Sequence, residues 1–183
     1  MLDKWLNSYK NWANFILRSF VGVIFMAHGA QKLFGAFGGP GLEGAARYFE
    51  QLGFVPGHAW AFAVAVVEFI GGAALLVGLL TRYAALLLAG IMAVAMIAVH
   101  MPNGFFLPNG IEFAFALFAA NLALLVGGPG ELALDGWLAR HGMFFVGTRK
   151  RAGLARPGGV SPALTRRSPK RESVSTKEIL VSA

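Results

Sequence analysis

The stretch AWAFAVAVVEFIGGAALLVGLL, residues 59–80, is an unbroken apolar run except for one charge, Glu68. Roughly 20 such residues form a helix long enough to span the hydrocarbon core of a bilayer. Three further runs resemble it. Residues 14–34 contain Arg18, His28, Gln31 and Lys32; residues 83–100 end on His100; residues 110–127 contain Glu112 and Asn121. All four are continuous, not alternating, so they predict helices and not the strands of a barrel. In lipid, backbone groups find partners only within a helix or a closed barrel.

Composition points the same way. Hydrophobic residues make up 56% and charged residues 14% of the 183-residue chain, where a soluble domain carries about 25% charge. The net charge of +7 is local. Ten bases and two acids follow Ala139, whereas the first 139 residues hold six bases and seven acids. The basicity belongs to the tail, and no nucleic-acid partner is expected. The absence of cysteine excludes disulfides, Cys-ligated zinc, iron–sulfur clusters and a dithiol relay within this chain. The first run is preceded by Asp3 and Lys4, broken by Arg18 and continued to Lys32, unlike the short uncharged core of a signal peptide.

The expected fold is therefore all-α: an integral membrane four-helix bundle with a disordered basic C-terminal tail. Its expected divisions are an N-terminal cytoplasmic segment (1–13), a transmembrane domain (14–139) and the tail (140–183). From residue 148 the tail is rich in Pro, Ser and Arg, a composition that buries too little surface to offset ordering entropy. It reads as a positive-inside anchor, with adhesion to anionic headgroups or a partner as the functional alternative. Gly38-Gly39-Pro40-Gly41 marks a turn before a short amphipathic helix over 42–52, expected at the membrane surface. Residues 81–82 form a tight turn, 101–109 a loop, and Gly127-Gly128-Pro129-Gly130 stops the fourth helix. Lys4, Lys10, Arg82 and the tail bases place both termini in the cytoplasm by the positive-inside rule, in a bacterial inner (plasma) membrane crossed several times.

An ionisable residue at membrane depth is costly and calls for a partner or a function. Arg18, Lys32, Glu68 and Glu112 are the permanent candidates. Arg18 is expected to reach up to Glu68 as an ion pair. His28, Gln31, Lys32, His100 and Glu112 are expected to form one polar cluster under the outer surface. At about 100° per residue, Arg18, Gly22, Gly29 and Lys32 share one face of the first helix, and the two glycines admit a close neighbour. Ala85, Ala89 and Ala93 form a similar stripe on the third. The ionisable set reads either as ion pairs locking the bundle or as a site for a polar head such as a quinone carbonyl, with a proton path from Glu68. A haem between His28 and His100 is disfavoured, since two histidines are weak evidence. No metal site is expected: His100 with Glu112 lacks a third ligand. No phosphate loop, G-x-S-x-G or H-E-x-x-H motif is present.

In order along the chain, Leu17-Arg18, His28-Gly29-Ala30-Gln31-Lys32-Leu33-Phe34-Gly35, Glu68-Phe69-Ile70-Gly71-Gly72 and Gly78-Leu79-Leu80-Thr81-Arg82 resemble the DoxX family. So do His100, Gly104-Phe105-Phe106, Gly110-Ile111-Glu112, and Gly128-Pro129-Gly130 with Leu134-Asp135. The resemblance covers about residues 14–137; Ala133 stands where the family often has Ser. It implies a four-helix membrane bundle and a link to membrane redox chemistry, as subunits of quinol or thiosulfate:quinone oxidoreductases or as anchors for soluble redox partners. Three readings stay open. One is a quinone-linked oxidoreductase subunit using Arg18, His28, Gln31, Lys32, Glu68, His100 and Glu112. The second is a non-catalytic anchor or assembly factor for a soluble or membrane redox partner. The third is a small-solute transporter, which would need a homo-oligomer. The residues do not decide whether the chain is catalytic, and the cofactor stays open, with quinone compatible.

Overall fold

The computed structural model describes residues 9–141; residues 142–183 of the expected tail and 1–8 of the N-terminal segment lie outside them. Six α-helices follow one another. They are α1 (Lys10–Phe34), α2 (Gly41–Gln51), α3 (Gly57–Val77), α4 (Thr81–Ala95), α5 (Glu112–Gly127) and α6 (Leu134–Arg140). No strand occurs among the described residues. α4 runs on through a π-helical turn, Met96–His100, and a 3-10 turn, Met101–Asn103. Among the described residues three spans are long and apolar enough to cross a membrane: Trp12–Phe34, Gly57–Val77 and Thr81–Asn103. The fourth apolar helix, α5, has 16 residues, about 24 Å at ~1.5 Å per residue, shorter than the ~30 Å bilayer core.

The boundaries shift from the sequence reading for local reasons. α3 ends at Val77 and not at residue 80, because Gly78 takes a left-handed conformation (φ 72°) and its N–H caps Leu75 O. This is the usual glycine C-terminal stop. α5 begins at Glu112 and not at residue 110, because Ile111 and Glu112 donate their N–H groups to the preceding loop, at Gly104 O and Phe105 O.

The packing is that of a membrane bundle. Small side chains fill the contacts: Ala61, Ala65, Ala84, Ala85 and Ala89 are buried. Large apolar ones point outward, among them Phe20, Ile70, Leu87, Ile97 and Phe115. Lipid is as apolar as leucine, so close van der Waals approach of small residues holds such helices together. A core of Val21, Phe25, Leu75, Leu88, Leu117 and Leu124 joins α1, α3, α4 and α5.

α1 and α3 approach most closely through the glycine face expected from the sequence. A Cβ on Gly22 would lie 2.7 Å from Gly72 O, and one on Gly29 would lie 2.5 Å from Phe69 N. A Cβ on Gly72 would lie 2.6 Å from Met26 N. Residue numbers fall along α3 as they rise along α1, so the two run antiparallel. The amphipathic α2 packs Ala45 and Ala46 against Ala61 of α3 and leaves Glu43, Arg47 and Glu50 exposed.

Candidate functional site

The ionisable residues divide between the two ends of the bundle. At one end Arg18 is fully buried, and the structure corrects its expected pairing with Glu68. The guanidinium donates five hydrogen bonds, all to carbonyl oxygens. Nε bonds Pro129 O (2.9 Å), Nη1 bonds Leu75 O (2.8 Å) and Leu76 O (2.6 Å), and Nη2 bonds Glu131 O (3.1 Å) and Leu132 O (2.9 Å). The physical reason is the end of α3. The last carbonyls of a helix have no intrahelical donor, lipid offers none, and arginine carries five donors in a planar fork. A cation there also meets the negative end of the helix dipole. The Phe15 ring lies 5.1 Å from the guanidinium carbon.

The same end holds two groups to which the sequence reading gave no site role. Arg82 donates to Leu125 O and Val126 O at the C-terminus of α5. Asp135 accepts from Leu80 N (2.7 Å) and Thr81 N (3.1 Å), capping α4 from 54 residues away. Leu80 needs that support, since its φ of 48° is left-handed, a conformation that costs a non-glycine residue about 1–3 kcal/mol. The signal was already in the chain. Leu80-Thr81 and Leu134-Asp135 are two of the motif fragments quoted above, and this bond joins them.

At the other end, Lys32 Nζ bonds Glu68 Oε2 at 2.5 Å. The Glu68 side chain is 4% exposed and that of Lys32 24%. Lys32 sits two residues before the end of α1, and its flexible stem runs back along α3 to the carboxylate. Lys32 also lines a cavity of about 520 Å³, together with Gly44, Ala45, Arg47, Tyr48 and Gln51 of α2. The pair therefore has a dry side against α3 and an open side beneath α2.

The expected single cluster is not assembled. His100 Nδ1 lies 2.9 Å from Asn109 O, and Glu112 Oε1 accepts from Leu107 N at 2.9 Å. Both fasten the loop between α4 and α5. His28 is exposed, with its ring 6.4 Å from Phe113, and Gln31 packs under Gly39. Among the described residues no group of three or more His, Cys, Asp or Glu side chains is placed to hold a metal. The buried Asn121 donates to Leu117 O, while its Oδ1 has no hydrogen-bond partner.

Helices apolar all round, small residues inside and charges spent on helix ends define a multi-pass α-helical membrane protein. The family model described as DoxX matches residues 13–101. The chain is 32% identical over 120 residues to "Putative oxidoreductase CatD" of Bacillus subtilis (strain 168), an alignment covering 66% of this chain and 82% of that one. It is 31% identical over 136 residues to the "Uncharacterized membrane protein Rv3486" of Mycobacterium tuberculosis (strain ATCC 25618 / H37Rv), covering 68% of this chain and 80% of that one. No solved structure matches. The chain belongs to the DoxX family.

Proposed function

We propose that this protein is a membrane subunit of a quinone-linked oxidoreductase system, held in a bacterial inner membrane with both termini in the cytoplasm. The observation that carries this reading is the half-buried Lys32–Glu68 pair beside a cavity. A quinone carbonyl accepts hydrogen bonds, and an ammonium group has three N–H donors, of which Glu68 takes one. Glu68 behind it is placed to accept a proton through Lys32. The name of the Bacillus relative, "Putative oxidoreductase CatD", agrees with a redox role. His28, one turn before Lys32, and Gln31, its neighbour in sequence, are the further donors of this reading at the same end of α1; His100 and Glu112 hold the loop between α4 and α5.

The test is quinone extracted from protein purified in mild detergent. About one quinone per chain in the wild type, and its loss in Lys32→Ala and Glu68→Gln, is the expected result. Turnover and quinone content unchanged in both variants would remove the reading. A second reading, a non-catalytic anchor for a redox partner, is favoured by one observation: the side chains of Arg18, Arg82, Asp135, His100 and Glu112 each hydrogen-bond the chain's own backbone. That reading expects no quinone, and co-purification of the partner with every variant that folds.

A further inference from the structure

We propose that the cavity beneath α2 binds a phosphate-type anion, held by Lys32 and Arg47. The inference shares the cavity and Lys32 with the quinone reading, of which it is a rival for the same space, but it starts from other residues, Arg47, Tyr48 and Gln51 of α2. None of the residues lining the cavity is acidic, and two are cationic. Tyr48 and Gln51 add a hydroxyl and an amide donor. Every polar group on the wall can therefore donate a hydrogen bond, so the complementary ligand is rich in acceptors and negatively charged.

The acids of α2 are engaged elsewhere. Glu43 lies 3.3 Å from His58 Nε2, and Glu50 Oε1 accepts from Gly57 N at 3.4 Å. Both reach toward the start of α3 and neither lines the cavity. Arg47 uses its Nε on Glu43 O at 3.4 Å, which leaves the two terminal nitrogens for a bidentate contact. Lysine acts on phosphate as a point charge and arginine as a fork. Of the ligand-sized range of roughly 300–1,000 Å³, this cavity takes about 520 Å³, with Phe49, Pro40 and Ala45 as apolar wall.

Position narrows the source. The cavity lies where the apolar α1 ends and the exposed charged face of α2 begins, which is where a bilayer changes from hydrocarbon to headgroup. A phosphodiester headgroup with its glycerol against Phe49 satisfies both walls, and a soluble phosphate satisfies the polar one.

The experiment uses the full chain in nanodiscs of phosphatidylglycerol, followed by native mass spectrometry of retained lipid, and titration of the detergent-solubilised chain with inorganic phosphate. Arg47→Gln is the main variant, since Arg47 is exposed and outside the core. Arg140→Gln removes one exposed positive charge elsewhere and is the control. Retained phosphatidylglycerol that falls about five- to tenfold in Arg47→Gln and is unchanged in Arg140→Gln supports the lipid headgroup as source. Saturable inorganic phosphate binding with the same dependence, without retained lipid, supports a soluble phosphate. Equal retention in wild type, Arg47→Gln and Arg140→Gln, an equal fall in both variants, or no binding of either probe overturns the proposal. Quinone content measured on the same Arg47→Gln sample keeps this outcome separate from that of the redox reading.

Discussion

The two ends of the bundle use buried charge in opposite ways. At the Arg18 end the charged side chains bond backbone: five bonds from Arg18, two from Arg82 and two to Asp135. At the Lys32 end a cation and an anion meet each other, and the cation keeps donors facing a cavity. The first arrangement closes helix ends that lipid would leave open. The second has spare capacity at a boundary. A charge in a membrane protein is thus better judged by what its remaining hydrogen-bond groups face than by its depth.

The largest effect is expected from Arg18→Met. It removes the shared donor from the carbonyls of Leu75, Leu76, Pro129, Glu131 and Leu132 together, and disruption of a buried network costs about 3–5 kcal/mol. Unfolding in detergent should show it, or the protein should fail to accumulate; Arg18→Lys, with charge but no fork, should recover only part. Stability within 1 kcal/mol of wild type, an order-of-magnitude bound, would break the contrast between the ends. Next comes Lys32→Ala, which strands Glu68. The double variant Lys32→Met/Glu68→Leu should restore most of the loss, because replacing a buried pair by apolar groups is often neutral. If the double variant is stable yet devoid of bound quinone, the Lys32 end is the working end.

A smaller cost, about 1–3 kcal/mol, is expected for Gly29→Ala, whose methyl would enter the backbone of Phe69. It should also disturb the Lys32–Glu68 distance, readable as altered ligand retention. Asp135→Ala should cost about 0.5–2 kcal/mol as a lost helix cap, with no effect on any ligand. A ligand effect of Asp135→Ala equal to that of Lys32→Ala would erase the distinction between the two ends.

The helices were legible in the sequence because apolar length is a one-dimensional signal. The glycine face of α1 was legible too, since Arg18, Gly22, Gly29 and Lys32 recur at helical spacing, and all four meet α3. The pairing of charges was not. Sequence offers two cations and one acid near the α1–α3 seam, and both cations can reach by stem length. The choice is made by the unsatisfied carbonyls of α3 and of the loop 128–132, which carry no side-chain signature. The cap by Asp135 on Leu80 was illegible for the same reason: the demand comes from the left-handed backbone at Leu80, a feature of tertiary structure. His100 and Glu112 were placed at the correct end but given to a shared site. The loop between α4 and α5 takes them, because its own N–H and C=O groups need partners.

Arg18 also sets a timetable. Its carbonyl partners at Pro129, Glu131 and Leu132 lie 111 to 114 residues downstream. At a translation rate of about 5–20 residues per second, about 6–23 s pass between the synthesis of the cation and that of its last acceptor. During that interval the nascent first helix carries a charge into the insertion machinery with its final ligands unmade. Until the loop 128–132 is made, only the Leu75 and Leu76 carbonyls of its five acceptors exist for the guanidinium to bind.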